Sequence, residues 1–140
     1  MEPQPRVPSH PVSLLVTDDD PTVREVLASV LERAGYRCES AVEGAEAVER
    51  FAAARGTDRA FSIVILDLTA QAGLGGRETL ERLRRLDPIV PALVLTGWAH
   101  DHVAGDCVRV GFDQHLAKPF ASSALIVAVR ALLANREKAA

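Results

Sequence analysis

The side chains best suited to chemistry in this sequence are three aspartates at the ends of two apolar runs. Asp18 and Asp19 follow the run Val12–Thr17. Asp67 ends a second run, which begins at Phe61. Because an ionised aspartate is rarely buried without a partner, we expect all three where strands emerge from the core. Two carboxylates about 4.5 Å apart repel by roughly 4 kcal/mol at an effective dielectric constant of about 20, so three together need a cation. Oxygen ligands of this kind favour Mg²⁺.

Two further polar side chains follow later apolar runs. Thr96 follows Pro91–Leu95, and Lys118 follows Gln114–Ala117. A lysine ammonium and a threonine hydroxyl are suited to binding phosphoryl oxygens. Beside a metal held by carboxylates, Asp67 could attack phosphorus and form an aspartyl phosphate. Each residue alone is also an ordinary helix cap or turn residue, and it is their shared position at strand ends that favours the functional interpretation.

The apolar runs alternate with segments whose spacing predicts helices. The predicted helices cover Pro21 to Ala34, Gly44–Ala54, Arg77–Leu86, Asp101–Val110 and Ser122 to about Asn135. In the second helix we expect the inward positions to be Ala45, Val48, Phe51 and Ala52. Five strand-then-helix units predict an α/β fold with a doubly wound, flavodoxin-like, five-stranded parallel sheet in the order 2-1-3-4-5. The second strand, Arg37–Val42, is the most polar and is expected at an edge. In this order the ends of strands 1 and 3 are neighbours, which brings the aspartates together.

Composition is typical of one soluble globular domain. The 140 residues are 48% hydrophobic and 25% charged, with a net charge of −3. This charge predicts no direct contact with nucleic acid, and no apolar run is long enough to span a membrane. Residues 1–11 hold half of the prolines and are expected to be a disordered leader, before a domain over residues 12–136 and a frayed tail over 137–140. Two isolated cysteines, Cys38 and Cys107, indicate a reduced, cytoplasmic setting.

Taken together, these motifs resemble the response-regulator receiver domain of two-component phosphorelays. The matching segments are Leu14–Arg24, Ser62–Leu68, Thr96 with Gly97, and Leu116–Phe120. The resemblance implies that Asp67 is the phosphoacceptor and that the donor is a histidine kinase or a histidine phosphotransfer protein. It implies a signalling domain that catalyses only its own phosphorylation and dephosphorylation, and not an enzyme acting on other substrates.

The resemblance also implies a ligand set for Mg²⁺. Asp19, Asp67 and the backbone carbonyl of Thr69 would bind the ion, with Asp18 acting through water. The bond between Lys118 and Pro119 would be cis.

The same resemblance implies a conformational switch. Thr96 and Lys118 would contact the phosphoryl group. Thr96 and His115 would couple phosphorylation to the conformational change. We expect the moving surface to be formed by the Asp101–Val110 helix, the fifth strand and the last helix, where Trp98 and His115 would report the change. The downstream partner is not identified by the sequence.

Two positions depart from the usual family pattern. Gln71 stands where the loop after the phosphoacceptor usually has a proline, so metal affinity or dephosphorylation rate is expected to differ. The surrounding pattern DLTAQAGLGG is similar to a variant in receivers attached to hybrid sensor kinases. His115 stands where the family usually has tyrosine or phenylalanine. We expect either a stand-alone regulator or a receiver from a larger protein.

Three other classes of protein share part of this pattern. A haloacid-dehalogenase-like phosphatase needs a second aspartate two residues after the nucleophile, where this sequence has Thr69. A flavin-binding module would need a phosphate-binding loop after the first strand, where Asp18–Asp20 would repel phosphate. A degenerate receiver that binds partners without phosphorylation is the main alternative, and incubation with acetyl phosphate would distinguish it.

Overall fold

The computed structural model of the protein describes residues 11–68, 75–97 and 111–139, with side chains through Arg136. Within these ranges the chain forms five strands and four helices in alternation. The strands are β1 (Ser13–Thr17), β2 (Arg37–Ala41), β3 (Phe61–Asp67), β4 (Ala92–Thr96) and β5 (Gln114–Ala117). The helices are α1 (Pro21–Arg33), α2 (Gly44–Ala54), α3 (Gly76–Leu86) and α4 (Ser122–Ala139).

The sheet has the predicted topology. All four strand pairings are parallel, and the order is β2-β1-β3-β4-β5. The polar strand β2 lies at an edge, as its sequence indicated. Because parallel strands end at the same edge of a sheet, the residues that follow β1, β3, β4 and β5 share the carboxyl edge.

Two apolar layers cover the sheet, one on each face. The strand residues facing α2 and α3 include Leu15, Val64 and Val94, and those facing α1 and α4 include Leu14, Ile65 and Leu95. The alternation of neighbours such as Leu14 and Leu15 follows from the two-residue period of a strand. β1, β3 and β4 are therefore buried on both faces, which fixes the positions of the residues at their carboxyl ends.

Two predictions about the helices were wrong in part. In α2 Phe51 is buried and Val48 packs against the core, as predicted, but the other buried residues are Gly44 and Ala47, and Ala52 is exposed. The inward positions Gly44, Ala47, Val48 and Phe51 follow the three- and four-residue spacing of one helix face, and this face packs on α3, β1 and β2. The last helix continues to Ala139, beyond its predicted end near Asn135. An ion pair of 2.8 Å between Arg136 and Asp87 holds its last turns against the α3–β4 connection.

Several predictions fall outside the described residues. These are the leader as far as residue 10, the Asp101–Val110 helix, Cys107 and the loop that contains Gln71. In the ranges that the structure covers, no helix is both long and apolar enough to cross a membrane.

Candidate functional site

Three aspartates meet where β1 and β3 end. Thr17 of β1 pairs with Leu66 of β3, so the residues that follow them lie side by side. One carboxylate oxygen from each of Asp18, Asp19 and Asp67 lies within 4.8 Å of the others. Asp18 is fully buried and Asp67 is 4% exposed, whereas Asp19 is exposed to solvent. The sequence prediction that these three side chains come together is correct.

A short chain of hydrogen bonds shapes the loop between β1 and α1. The Asp18 carboxylate accepts a bond of 2.9 Å from the backbone N–H of Asp20, and the Asp20 carboxylate caps α1 by accepting one of 2.9 Å from Thr22. Arg24, one turn into the helix, donates a bond of 2.7 Å from Nη1 to the backbone carbonyl of Asp18. The loop is thus held by two hydrogen bonds to Asp18, one at its carboxylate and one at its backbone carbonyl.

Lys118 connects the ends of β1, β3 and β5. Its Nζ lies 2.8 Å from Oδ2 of Asp18 and 3.2 Å from Oδ2 of Asp67. Its backbone N–H donates a bond of 2.8 Å to the carbonyl of Thr96, which ties the lysine to the end of β4. The bond between Lys118 and Pro119 is cis, as the family resemblance implied. The ammonium therefore partly neutralises two carboxylates that would otherwise repel.

Burial and charge shift two pKa values in this site. Burial raises the pKa of the Asp18 carboxyl above its ordinary value, and the hydrogen bonds from Lys118 and Asp20 only partly oppose this. Burial alone would lower the pKa of the Lys118 ammonium, but the hydrogen bond with Asp18 and the charge of Asp67 outweigh burial and raise that pKa. The lysine consequently remains a cation at neutral pH.

The remaining predicted residues divide into three groups. Thr96 is 3% exposed, and its hydroxyl donates a long hydrogen bond of 3.4 Å to the carbonyl of Leu116. His115 is exposed on β5, paired in register with Val94 of β4. Thr69 and Trp98 lie outside the described residues. The structure thus brings Lys118 into contact with the aspartates and leaves His115 at the surface.

Sequence reasoning assigned no role to Arg24, although the segment that carries the family resemblance ends on it. The spacing between Arg24 and the start of the helix is the one sequence feature that indicates such a role. Arg24 lies four residues after the helix N-cap Asp20, so one turn of helix returns its side chain toward the end of β1. Its contact is with a backbone carbonyl, which no charge pattern in the sequence predicts.

The donor set fits a hard divalent cation. Three carboxylate oxygens gather at one edge of the sheet, and the single cation that the described structure places between Asp18 and Asp67 is an ammonium on a flexible side chain. Exposure of Asp19 leaves room for the waters that Mg²⁺ retains. Oxygen-only ligands with solvent access are the pattern that Mg²⁺ prefers over softer metals.

An apolar cavity adjoins the acidic cluster. It has a volume of about 330 Å³ and is lined by Thr22, Val23, Val26, Lys118, Pro119 and Phe120. Val26 is 45% exposed there, so an apolar side chain on this face of α1 remains open to solvent. Because Lys118 belongs to both the cavity and the aspartate cluster, the two features form one continuous surface.

The family of this chain follows from comparison with known proteins. Residues 14–130 match the family model described as the response regulator receiver domain. Response regulator MprA of Mycolicibacterium vanbaalenii is 40% identical over 125 residues, which are 88% of this chain and 51% of the relative. The probable transcriptional regulatory protein TcrX of Mycobacterium tuberculosis is 32% identical over 91% of this chain and 52% of its own length. This chain belongs to the response-regulator receiver family, and it spans about half the length of these curated relatives.

Solved structures with the same fold agree with this assignment. A putative response regulator from Chloroflexus aurantiacus is 32% identical, with a TM-score of 0.80 over 89% of this chain and 98% of that one. The chemotaxis protein CheY4 of Vibrio cholerae is 26% identical, with a TM-score of 0.78 over 88% and 99% of the two chains. The flavodoxin-like fold predicted from the sequence is confirmed.

Proposed function

We propose that the protein accepts a phosphoryl group on Asp67 from a phosphohistidine of a histidine kinase or phosphotransfer protein, in a reaction that requires Mg²⁺. The observation that carries the proposal is the convergence of Asp18, Asp19 and Asp67 within 4.8 Å beside the ammonium of Lys118. A carboxylate that is nearly buried and next to a cation is positioned for attack on phosphorus. A structural turn aspartate would need none of these neighbours.

The reaction transfers one phosphoryl group between two side chains. A carboxylate oxygen of Asp67 forms a bond to phosphorus while the phosphorus–nitrogen bond to the donor imidazole breaks and the imidazole keeps the electron pair. Mg²⁺ held by Asp18, Asp19 and Asp67 would neutralise charge on the phosphoryl oxygens. Lys118 already contacts Asp67 at 3.2 Å, so its ammonium is close enough to bind an oxygen of a phosphoryl group on Asp67. The Thr96 hydroxyl offers a further hydrogen-bond donor at the end of β4.

The apolar cavity beside Lys118 supports a protein as the donor. A donor helix that carries the phosphohistidine must approach the carboxyl edge of the sheet, and an apolar side chain next to that histidine would fill the cavity. Val26 and Phe120 would then be covered on binding. A small phosphodonor such as acetyl phosphate needs only the aspartates and Lys118.

The first test uses acetyl phosphate with Mg²⁺ and intact-protein mass spectrometry. We expect one added phosphoryl group, lost in Asp67→Ala and strongly reduced when EDTA removes the metal. Phosphorylation that persists in Asp67→Ala would exclude Asp67 as the acceptor. A wild-type protein that gains no phosphoryl group would instead favour a degenerate receiver.

The second test separates donor binding from chemistry. Val26→Glu places a charge in the apolar cavity and should slow transfer from a cognate histidine kinase, identified by cross-phosphorylation against the kinases of the same cell. It should leave phosphorylation by acetyl phosphate unchanged. Val127→Glu is the matched control, because Val127 is 66% exposed and does not line the cavity. Equal effects of both substitutions on transfer would contradict docking at this cavity.

A further inference from the structure

Arg24 directs its charged group to the backbone and not to the carboxylates beside it. Its Nη1 donates to the carbonyl oxygen of Asp18 at 2.7 Å. Among the described residues Arg24 forms no ion pair with an acidic side chain. Since Asp18 is fully buried, its carbonyl would lack a donor without this contact, and a buried unpaired carbonyl costs about 1–3 kcal/mol.

The three aspartates of the cluster are held in different ways. Lys118 contacts the carboxylates of Asp18 and Asp67 directly. For Asp19, the described part of the chain provides no hydrogen bond or ion pair to the carboxylate, and the residue is exposed. The direction of the Asp19 side chain therefore depends on the peptide that joins it to Asp18. That peptide contains the carbonyl that Arg24 binds.

We infer that Arg24 is a positioning residue that orients the Asp18–Asp19 peptide and so keeps the Asp19 carboxylate in the geometry that binds Mg²⁺. This inference rests on the proposed magnesium site and assigns a function to a residue outside its ligand set. Arg24 has no catalytic role in this assignment, because it contacts a backbone oxygen and no reacting atom.

The direction of the change in Mg²⁺ dissociation constant shows whether Arg24 acts by orienting a ligand or only by its positive charge. Removal of a positive charge next to three carboxylates makes the site more negative and should tighten binding of a divalent cation. Removal of a hydrogen bond that orients a ligand should weaken binding. The substitution Arg24→Met does both, so the direction of the change in Mg²⁺ dissociation constant identifies the effect that dominates.

The experiment follows backbone amide shifts in ¹⁵N-labelled protein during titration with MgCl₂. We expect Arg24→Met to raise the Mg²⁺ dissociation constant at least about fivefold, which corresponds to the loss of one hydrogen bond. Arg24→Lys restores a donor and should remain close to the wild-type value. Arg33→Met is the matched control, because Arg33 is an exposed arginine in the last turn of the same helix. If the methionine variant does not fold, Arg24→Gln, whose side chain is shorter, replaces it.

Hydrogen exchange in metal-free protein provides a readout that does not depend on Mg²⁺. The amide of Asp20 donates to the Asp18 carboxylate, so loss of the Arg24 contact should speed exchange at Asp20 while amides in β1 stay protected. A dissociation constant in Arg24→Met equal to or below the wild-type value would overturn the inference, as would unchanged exchange at the Asp20 amide. A wild-type protein without any response to Mg²⁺ would refute the proposed metal site, and the exchange result would then still test the role of Arg24.

Discussion

The ammonium of Lys118 lies 2.8 Å from a carboxylate oxygen of Asp18, closer than its distance of 3.2 Å to Asp67. The lysine therefore contacts both buried carboxylates and lies nearer to Asp18 than to the proposed phosphoacceptor. Two buried carboxylates without this cation would repel each other, which accounts for its place between them. A phosphoryl group on Asp67 would compete with Asp18 for the same ammonium. Because Lys118 directly follows β5, this competition would couple phosphorylation to the end of that strand.

The first prediction concerns the link through Lys118. In Lys118→Ala, acetyl phosphate with Mg²⁺ should still add a phosphoryl group to Asp67, although more slowly. The conformational response in β5 should be strongly reduced, because the ammonium that links the new charge to the end of that strand is removed. Mass spectrometry measures phosphorylation, and amide shifts from Gln114 to Ala117 measure the response. A normal response in the phosphorylated variant would contradict this role.

The second prediction concerns the hydroxyl of Thr96. Its hydrogen bond to Leu116 is 3.4 Å long, so Thr96→Val should cost the unphosphorylated protein only about 0.5–1 kcal/mol of unfolding free energy. Bonding to a charged phosphoryl group would be stronger, and its loss should weaken the switch by about 1.5–3 kcal/mol. Urea unfolding and the response to a phosphoryl mimic measure the two quantities. Thr96→Ser keeps the hydroxyl and should preserve the switch.

Much of this site could be predicted because strand ends are visible in the sequence. Asp67 ends a run of β-branched and apolar residues, and Lys118 follows a short run before a proline, so right-handed crossovers bring them to one edge. The preference of Lys118 for Asp18 could not be predicted, because it depends on differences of a few tenths of an ångström between side chains 100 positions apart. The inward face of α2 was predicted correctly at Phe51 and Val48 but not at its alanines, since Ala47, four residues before Phe51, is buried while Ala52 is exposed.

The contacts at the amino edge of the sheet could not be predicted from the sequence either. Arg84 donates hydrogen bonds to the carbonyls of Val90 and Gly111 and to the carboxylate of Asp113. Asp113 lies 29 positions from Arg84 and also accepts a bond of 2.8 Å from the N–H of Ala92. Nothing in the spacing of these residues indicates that one guanidinium joins α3 to the starts of β4 and β5.

The third prediction follows from this contact set. Arg84→Met removes the donor to the carbonyls of Val90 and Gly111, while the Asp113 carboxylate keeps its bond from Ala92, and it should lower the unfolding free energy by about 2–4 kcal/mol. Arg85→Met is the control, because Arg85 is the exposed neighbour in the same turn and should change stability by less than about 0.5 kcal/mol. Urea unfolding followed by circular dichroism measures both. Similar losses in the two variants would show that helix propensity, and not the hydrogen bonds, is responsible.

The fourth prediction concerns the thiol of Cys38. Burial, followed by the charges of Glu32 and Glu39, raises the pKa of this thiol from 9.0 to about 12. The thiolate fraction at mildly alkaline pH is then about a thousandfold lower than in the unfolded chain, and alkylation should slow accordingly. The test measures iodoacetamide modification of Cys107→Ser, in which Cys38 is the remaining thiol, with and without urea. Rapid alkylation of the folded protein would contradict the raised pKa.

The same shift predicts how stability depends on pH. The unfolded thiol loses its proton near pH 9, and the folded thiol holds it until about pH 12. Between these values the folded state binds more protons, so the contribution of Cys38 to stability is complete below pH 9 and declines as the pH rises to about 12. Cys38→Ala should flatten that part of the stability profile.

The last prediction is that phosphorylation alters the surface around β5, where His115 is exposed and Trp98 is near in sequence to the end of β4. A shift from about 1:99 to 99:1 between two conformations requires a difference of roughly 5.5 kcal/mol, so the element that moves must be only marginally stable. The predicted helix Asp101–Val110 has the sequence of such an element, since it contains Gly105 and few apolar anchors.

Beryllofluoride with Mg²⁺ mimics a phosphoryl group on an aspartate and supplies the test without a donor protein. Trp98 is the sole tryptophan, so a change in emission reports its surroundings without interference. The imidazole resonances of His115 should shift at the same beryllofluoride concentration, because both residues would respond to one transition. Asp67→Asn should abolish both responses, since it removes the carboxylate that binds the mimic. If Asp67 is occupied while Trp98 emission and His115 resonances stay constant, then this surface does not transmit the signal and the moving element lies elsewhere on the domain.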